Sequence, residues 1–118
     1  MIDRIAVQQE PEGAAPKPPA KKPVVYISGP MTGLENYNHA AFNQLASELA
    51  ERGYIVLNPA ILPLGLTDAA YMDIGIAMLR AADVVALLDG YQHSKGALSE
   101  KTYAERIGIP CIPVSELD

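Results

Sequence analysis

The sequence predicts a small α/β domain, a doubly wound parallel sheet of about four strands with helices on both faces. Short β-branched, nearly continuous apolar runs alternate with longer stretches of helical periodicity, and the first three runs stop at Gly-Pro, Asn-Pro and Asp-Gly. The resulting order is β-α-β-α-β-α-β, with no internal repeat. Strands that are apolar on both sides need cover on both faces, and strands separated by helices run parallel. Right-handed crossovers then impose the doubly wound layout.

The elements follow in order. Val24-Val-Tyr-Ile-Ser28 is the first strand, ended by Gly29-Pro30. Asn38 to Arg52 sets Ala41, Phe42, Leu45, Ala46 and Leu49 on one helical face, with Asn38 as N-cap and Gly53 as the C-terminal stop. Tyr54 to Leu57 is the second strand, halted by Asn58-Pro59, and the loop through Leu66 is unusually apolar for a solvated connection. Ala69 to Ala82 is the second helix, capped by Thr67 or Asp68. Asp83 to Leu88 is the third strand and closes at Asp89-Gly90. Gly96 to Ile107 is the third helix, stopped by Gly108. Ile109 to Val114 is the last strand, where Pro110 and Pro113 are tolerable only near its ends.

With 118 residues the chain suffices for one domain. Residues 1–23 mix prolines with lysines and lack an apolar period, so they read as a disordered tether ahead of a domain at 24–118. A net charge of −5 argues against a nucleic-acid partner, which would need a basic face. The single cysteine, Cys111, allows no disulfide within one chain and suits a reducing compartment. His39 and His93 are isolated, with no metal-ligand spacing around them, so neither a metal nor another cofactor is expected. No apolar run approaches the roughly 20 residues that span a bilayer, and the start of the chain lacks a secretory core. Together these predict a cytoplasmic protein with no membrane partner.

In open α/β sheets ligands bind beyond the carboxyl ends of the strands, near the point where strand order reverses. Three segments arrive there: Ser28 to Gly33, Asn58 to Leu66, and Asp89 to Gly96. Ser28-Gly-Pro-Met-Thr-Gly33 offers glycines and hydroxyls for close approach to an anion or a sugar. It lacks the Gly-Lys-Ser/Thr ending of a P-loop and the spacing of a dinucleotide fingerprint, and read alone it is a tight turn. Ser94 and Gly96 stand at a helix start suited to a phosphate or hydroxyl, and Glu100 follows on that helix. Capping and the helix dipole also explain Ser94 and Glu100, and on these residues alone that is the stronger reading. Asp73 lies early in its helix, where a dipole role competes with a functional one. Asp89 is a turn former or a ligand contact, and Asp83, at the far end of its strand, is structural.

Taken in order, Tyr26-Ile-Ser-Gly-Pro-Met-Thr-Gly33, Tyr37-Asn38 ahead of Phe42, Asn58-Pro59, Tyr71-Met-Asp73, Ala82-Asp-Val-Val85, Asp89-Gly90, and Ser94-Lys-Gly-Ala97 with Glu100 resemble the nucleoside 2-deoxyribosyltransferase-like superfamily. That group includes the 2′-deoxynucleoside 5′-phosphate N-hydrolases, and the closest texture is a small branch common in phages and bacteria. The resemblance covers Val24 to about Val114 and implies a Rossmann- or flavodoxin-like fold. It implies cleavage or transfer at the N-glycosidic bond of a 2′-deoxynucleoside or its 5′-monophosphate. Glu100 looks like the nucleophilic glutamate, Tyr26 like the tyrosine that orients it, and Asp73 like the acid that handles the leaving base. In that family the aspartate stands closer to the third strand, where this chain has Gly75 or Ile76. Ser94 and Gly96 resemble the phosphate-binding loop. Ser28, Gly29, Pro30, Met31, Asn58 and Asp89 complete the substrate-binding set. The implied partner is a small nucleoside or nucleotide.

Two further readings accompany this one. A non-catalytic module of the same fold would bind or sense a nucleotide without turning it over. A homo-oligomer, a dimer or larger, is expected as well, with Ile61 to Leu66 and the outer face of the second helix near Met72 and Ile76 as the contact.

Overall fold

In the computed structural model, residues 22–117 are described. The tether expected over residues 1–23 lies outside that range as far as residue 21. Pro23 already belongs to the fold, since its carbonyl accepts a hydrogen bond from the Ile55 N–H at 3.0 Å.

Four strands, β1 (Val24–Ser28), β2 (Ile55–Leu57), β3 (Val84–Leu87) and β4 (Cys111–Pro113), pair in parallel in the order β2-β1-β3-β4. They are joined by helices α1 (His39–Glu51), α2 (Asp68–Arg80) and α3 (Lys95–Arg106). This is a small Rossmann- or flavodoxin-like fold, as the alternation of apolar runs and helical stretches predicts.

The strand order explains which face each helix covers. α1 leads from β1 outward to β2, whereas α2 and α3 carry the chain back across β1 to β3 and on to β4. Because each crossover is right-handed, reversing direction along the sheet moves the helices to the other face. The core divides accordingly. Val25, Ile27, Ala86 and Leu88 pack with Phe42, Leu45 and Leu49 of α1. Tyr26, Val85 and Leu87, the alternate residues of the same strands, pack with Leu79 of α2 and Ala104 of α3. The reversal lies between β1 and β3, so the carboxyl ends of these two strands frame the crevice where such sheets bind ligands.

Local chemistry agrees with most predicted boundaries. Thr67 caps α2 by accepting from the Ala70 N–H, and Ser94 caps α3 by accepting from the Ala97 N–H. Asp83 has the structural role expected of it, accepting from the Val24 N–H at 2.8 Å at the end of the sheet away from the crevice. Asn38 departs from expectation. It makes no side-chain cap and sits at φ 62°, the last of three consecutive residues in left-handed conformation after Asn36 and Tyr37. Its amide instead donates to the Pro30 carbonyl at 3.0 Å, folding the loop after β1 back on itself. Among the described residues no helix is long and apolar enough to cross a membrane.

Candidate functional site

Side chains of a strand alternate between faces, so Tyr26 and Ser28 both emerge from β1 on the side covered by α2 and α3. Each is only 1% exposed. A hydroxyl buried that deeply needs a partner, and both find the same one. Tyr26 Oη donates to Glu100 Oε2 at 2.7 Å, and Ser28 Oγ donates to Glu100 Oε1 at 2.6 Å. Glu100 arrives from α3. It shares the inward side of that helix with Ala97 and Ala104, both buried, at spacings of three and four residues. These small residues let the helix axis lie close to the sheet, which brings a long carboxylate within reach of β1.

The electrostatics follow from burial. Glu100 is pushed above the ordinary carboxylate range by loss of solvent, and the hydrogen bonds from Ser28 and Tyr26 oppose that shift. The Tyr26 phenol is raised far above its usual value, first by burial and then by the charge of Glu100 and the bond to it. Tyr26 therefore remains a protonated donor at every physiological pH. The arrangement is a single carboxylate clamped at both oxygens by neutral hydroxyls, at the carboxyl end of β1.

The third wall comes from α2. Gly75 is buried there, and a Cβ built on it would stand 2.7 Å from Glu100 Oε2 and 3.1 Å from Tyr26 Oη. Asp73 is not brought to this group. It is exposed, and two helical residues before Gly75 amounts to a rotation of about 200° at 3.6 residues per turn. The residue expected to handle the leaving base therefore lies on another side of α2 from Gly75, and it is Gly75 that faces Glu100.

The other predicted residues serve packing, turns and caps or stand exposed near the strand ends. Gly29 sits against Leu88, whose Cβ would be 2.7 Å from an added methyl group, so this glycine is required by the close approach of the β1 and β3 ends. Pro30 packs toward Gly90, and Met31 packs against the α1 side of the core. Asn58 is committed to structure, with its oxygen accepting from the Ala60 N–H and its amide donating to Asn43 Oδ1. Asp89 is exposed in a turn closed by the Tyr91 N–H on the Leu88 carbonyl, with Gly90 at φ 88°. Such a turn is of type II, where glycine suits the third position. Ser94 caps α3, and Gly96 is exposed in its first turn.

Two features went unread in the sequence. Ser28, a substrate contact in the sequence reading, donates its hydroxyl to Glu100. Gly75 carried no assigned role, although an isolated glycine inside a helical pattern is itself a signal of close packing. Tyr71, at the start of α2, fastens the preceding loop by donating to the Pro63 carbonyl at 2.6 Å and accepting from the Leu66 N–H. Among the described residues no group of three or more His, Cys, Asp or Glu side chains is arranged to hold a metal ion.

A search of curated proteins finds no match. A family model described as a domain of unknown function, DUF4406, matches residues 23–113. That span runs from the residue before β1 to the last residue of β4 and contains Tyr26, Ser28, Gly75 and Glu100. The chain belongs to the DUF4406 family.

Proposed function

We propose that the chain cleaves or transfers at the N-glycosidic bond of a 2′-deoxynucleoside or its 5′-monophosphate, with Glu100 as nucleophile. The observation that carries this reading is the clamp itself, in which Tyr26 and Ser28 hold both oxygens of a part-buried carboxylate at the carboxyl end of β1. A 2-deoxyribosyl centre lacks an electron-withdrawing 2′-hydroxyl, so its oxocarbenium-like transition state is accessible to a single well-placed carboxylate. Attack of Glu100 on C1′ breaks the N-glycosidic bond and forms a glycosyl-enzyme ester, the departing base taking its proton from water, and water or a second base then releases the sugar. Tyr26 and Ser28 orient the carboxylate and keep it from turning away. Asp73, exposed on α2, forms no bond to Glu100.

The resemblance to the deoxyribosyltransferase-like superfamily supports the same chemistry, and the negative net charge suits a small-molecule substrate better than a nucleic acid. Cytoplasmic residence fits the lone, half-buried Cys111. A second copy of the chain is proposed to cover the exposed Ile61 and Leu64, which are 75% and 64% accessible.

The placement of Asp73 favours a second reading, a module that binds a deoxynucleotide without cleaving it. One experiment separates the two. Wild type and Glu100→Gln are incubated with a panel of deoxynucleosides and their monophosphates, and free base is followed by chromatography. Catalysis requires base release by the wild type and a loss of several orders of magnitude in the variant, with ligand affinity retained. Binding without release by the wild type establishes the module instead.

A further inference from the structure

Gly75 lies in the interior of α2, and its φ is not positive. Conformational freedom therefore does not explain a glycine there, and a helix interior otherwise favours alanine. Space does explain it. An added Cβ would stand 2.7 Å from Glu100 Oε2, 3.1 Å from Tyr26 Oη and 3.9 Å from Glu100 Cδ. The first of these is shorter than packed atoms tolerate, so one group would have to move. Tyr26 is held within the core beneath α2 and α3. The carboxylate is the far end of a flexible side chain, and it is the group that would yield.

We infer that Gly75 is a positioning residue, whose missing side chain is the space in which the Glu100 carboxylate meets the Tyr26 hydroxyl. Helix α2 thereby closes over Oε2, while Oε1 accepts from the Ser28 hydroxyl. A methyl group at position 75 drives the carboxylate out of the clamp toward solvent while the backbone of α2 stays helical. The inference deepens the reading of Glu100 as the reactive carboxylate and rests on it for its catalytic meaning, but its test does not depend on turnover.

The test compares wild type, Gly75→Ala, Glu100→Ala and the double variant by thermal melting, with the Glu100 carboxyl titration followed by NMR in the first two. The titratable group facing Glu100 is Tyr26 on β1; Ser28 and Gly75 carry no charge. Gly75→Ala is expected to lower the melting temperature when Glu100 is present and to raise it when Glu100 is alanine. The 3.1 Å approach to Tyr26 is common to both backgrounds, so the difference reads the carboxylate. The Glu100 midpoint is expected to fall toward the ordinary carboxylate range, because burial is the leading cause of its elevation. If Gly75→Ala does not fold alone, recovery of folding in the double variant supports the inference, and its failure to fold overturns it. Equal melting shifts in both backgrounds, or an unmoved Glu100 midpoint, overturn it as well. Absence of base release from the wild type overturns the proposed reaction only and leaves this comparison readable.

Discussion

Burial resists the charge of Glu100, and two hydroxyl donors are what make that charge tolerable at the end of β1. This balance gives the acid limb of any reaction at Glu100 a definite direction. If Glu100 acts as a nucleophile it must be ionised, so activity would decline on acidification at a higher pH than an unperturbed glutamate would produce. Tyr26→Phe removes a bond that favours the ionised form, so the limb moves to higher pH still. A pH profile of base release for wild type and Tyr26→Phe checks this, and a limb moving the other way would contradict the clamp. Stability follows the same sign. A carboxyl whose folded value is raised stabilises the fold most fully below its unfolded value, and that contribution is lost as pH rises through the folded value. Glu100→Gln lacks this fall, so urea denaturation of the two proteins across the carboxylate range should show the wild type losing stability relative to the variant as pH rises. The sequence named Glu100 and Tyr26 together through family resemblance, and they are in contact. It did not connect Ser28 to Glu100, because strand periodicity supplies a face and not a partner.

Helix α2 presents its sequence logic in full. Thr67 caps it, Asp68 adds favourable charge in its first turn, and Tyr71 ties down the loop that feeds it. Thr67→Ala removes the acceptor for the Ala70 N–H and is expected to cost about 1 kcal/mol, measured by chemical denaturation. It should leave ligand affinity unchanged, since Thr67 makes no bond to the Tyr26–Glu100 pair. Start signals of this kind are local and legible. Asn38 misled for a physical reason. Asparagine tolerates the left-handed region and can bond to backbone within its own loop, and here its amide is held by Pro30 rather than by the first turn of α1. Gly75 was hard to read because a glycine in a helix has several explanations, and only the approach of α3 and β1 selects one.

Across the whole molecule, the strand order β2-β1-β3-β4 puts the reversal beside β1 and sends both site-bearing helices to one face. On the opposite face α1 packs together with Ala60, Met31, Val114 and Leu117, and Ile61 and Leu64 remain exposed in the loop between β2 and α2. Met72 and Ile76, expected on an outer face, are partly buried instead. If a second copy covers the loop, light scattering at micromolar concentration gives a dimer mass, and Ile61→Lys with Leu64→Lys reduces it to the monomer. A monomer mass for the unaltered chain removes the oligomer proposal.

By itself the sequence determined the alternation of strands and helices, the parallel doubly wound class and the end of the sheet where a site belongs. Those properties follow from side-chain periodicity, turn chemistry and the handedness of crossovers, all of which act over short stretches of chain. Only the tertiary structure decided that Tyr26 and Ser28, 74 and 72 residues from Glu100, share its carboxylate, that Asp73 lies on another side of α2 from Gly75, and that Gly75 leaves room for the pair. These contacts depend on how far each helix is rotated and how closely it approaches the sheet. Both are set by the joint packing of Ala97, Ala104, Leu79 and Tyr26, and no single segment of the chain contains that information.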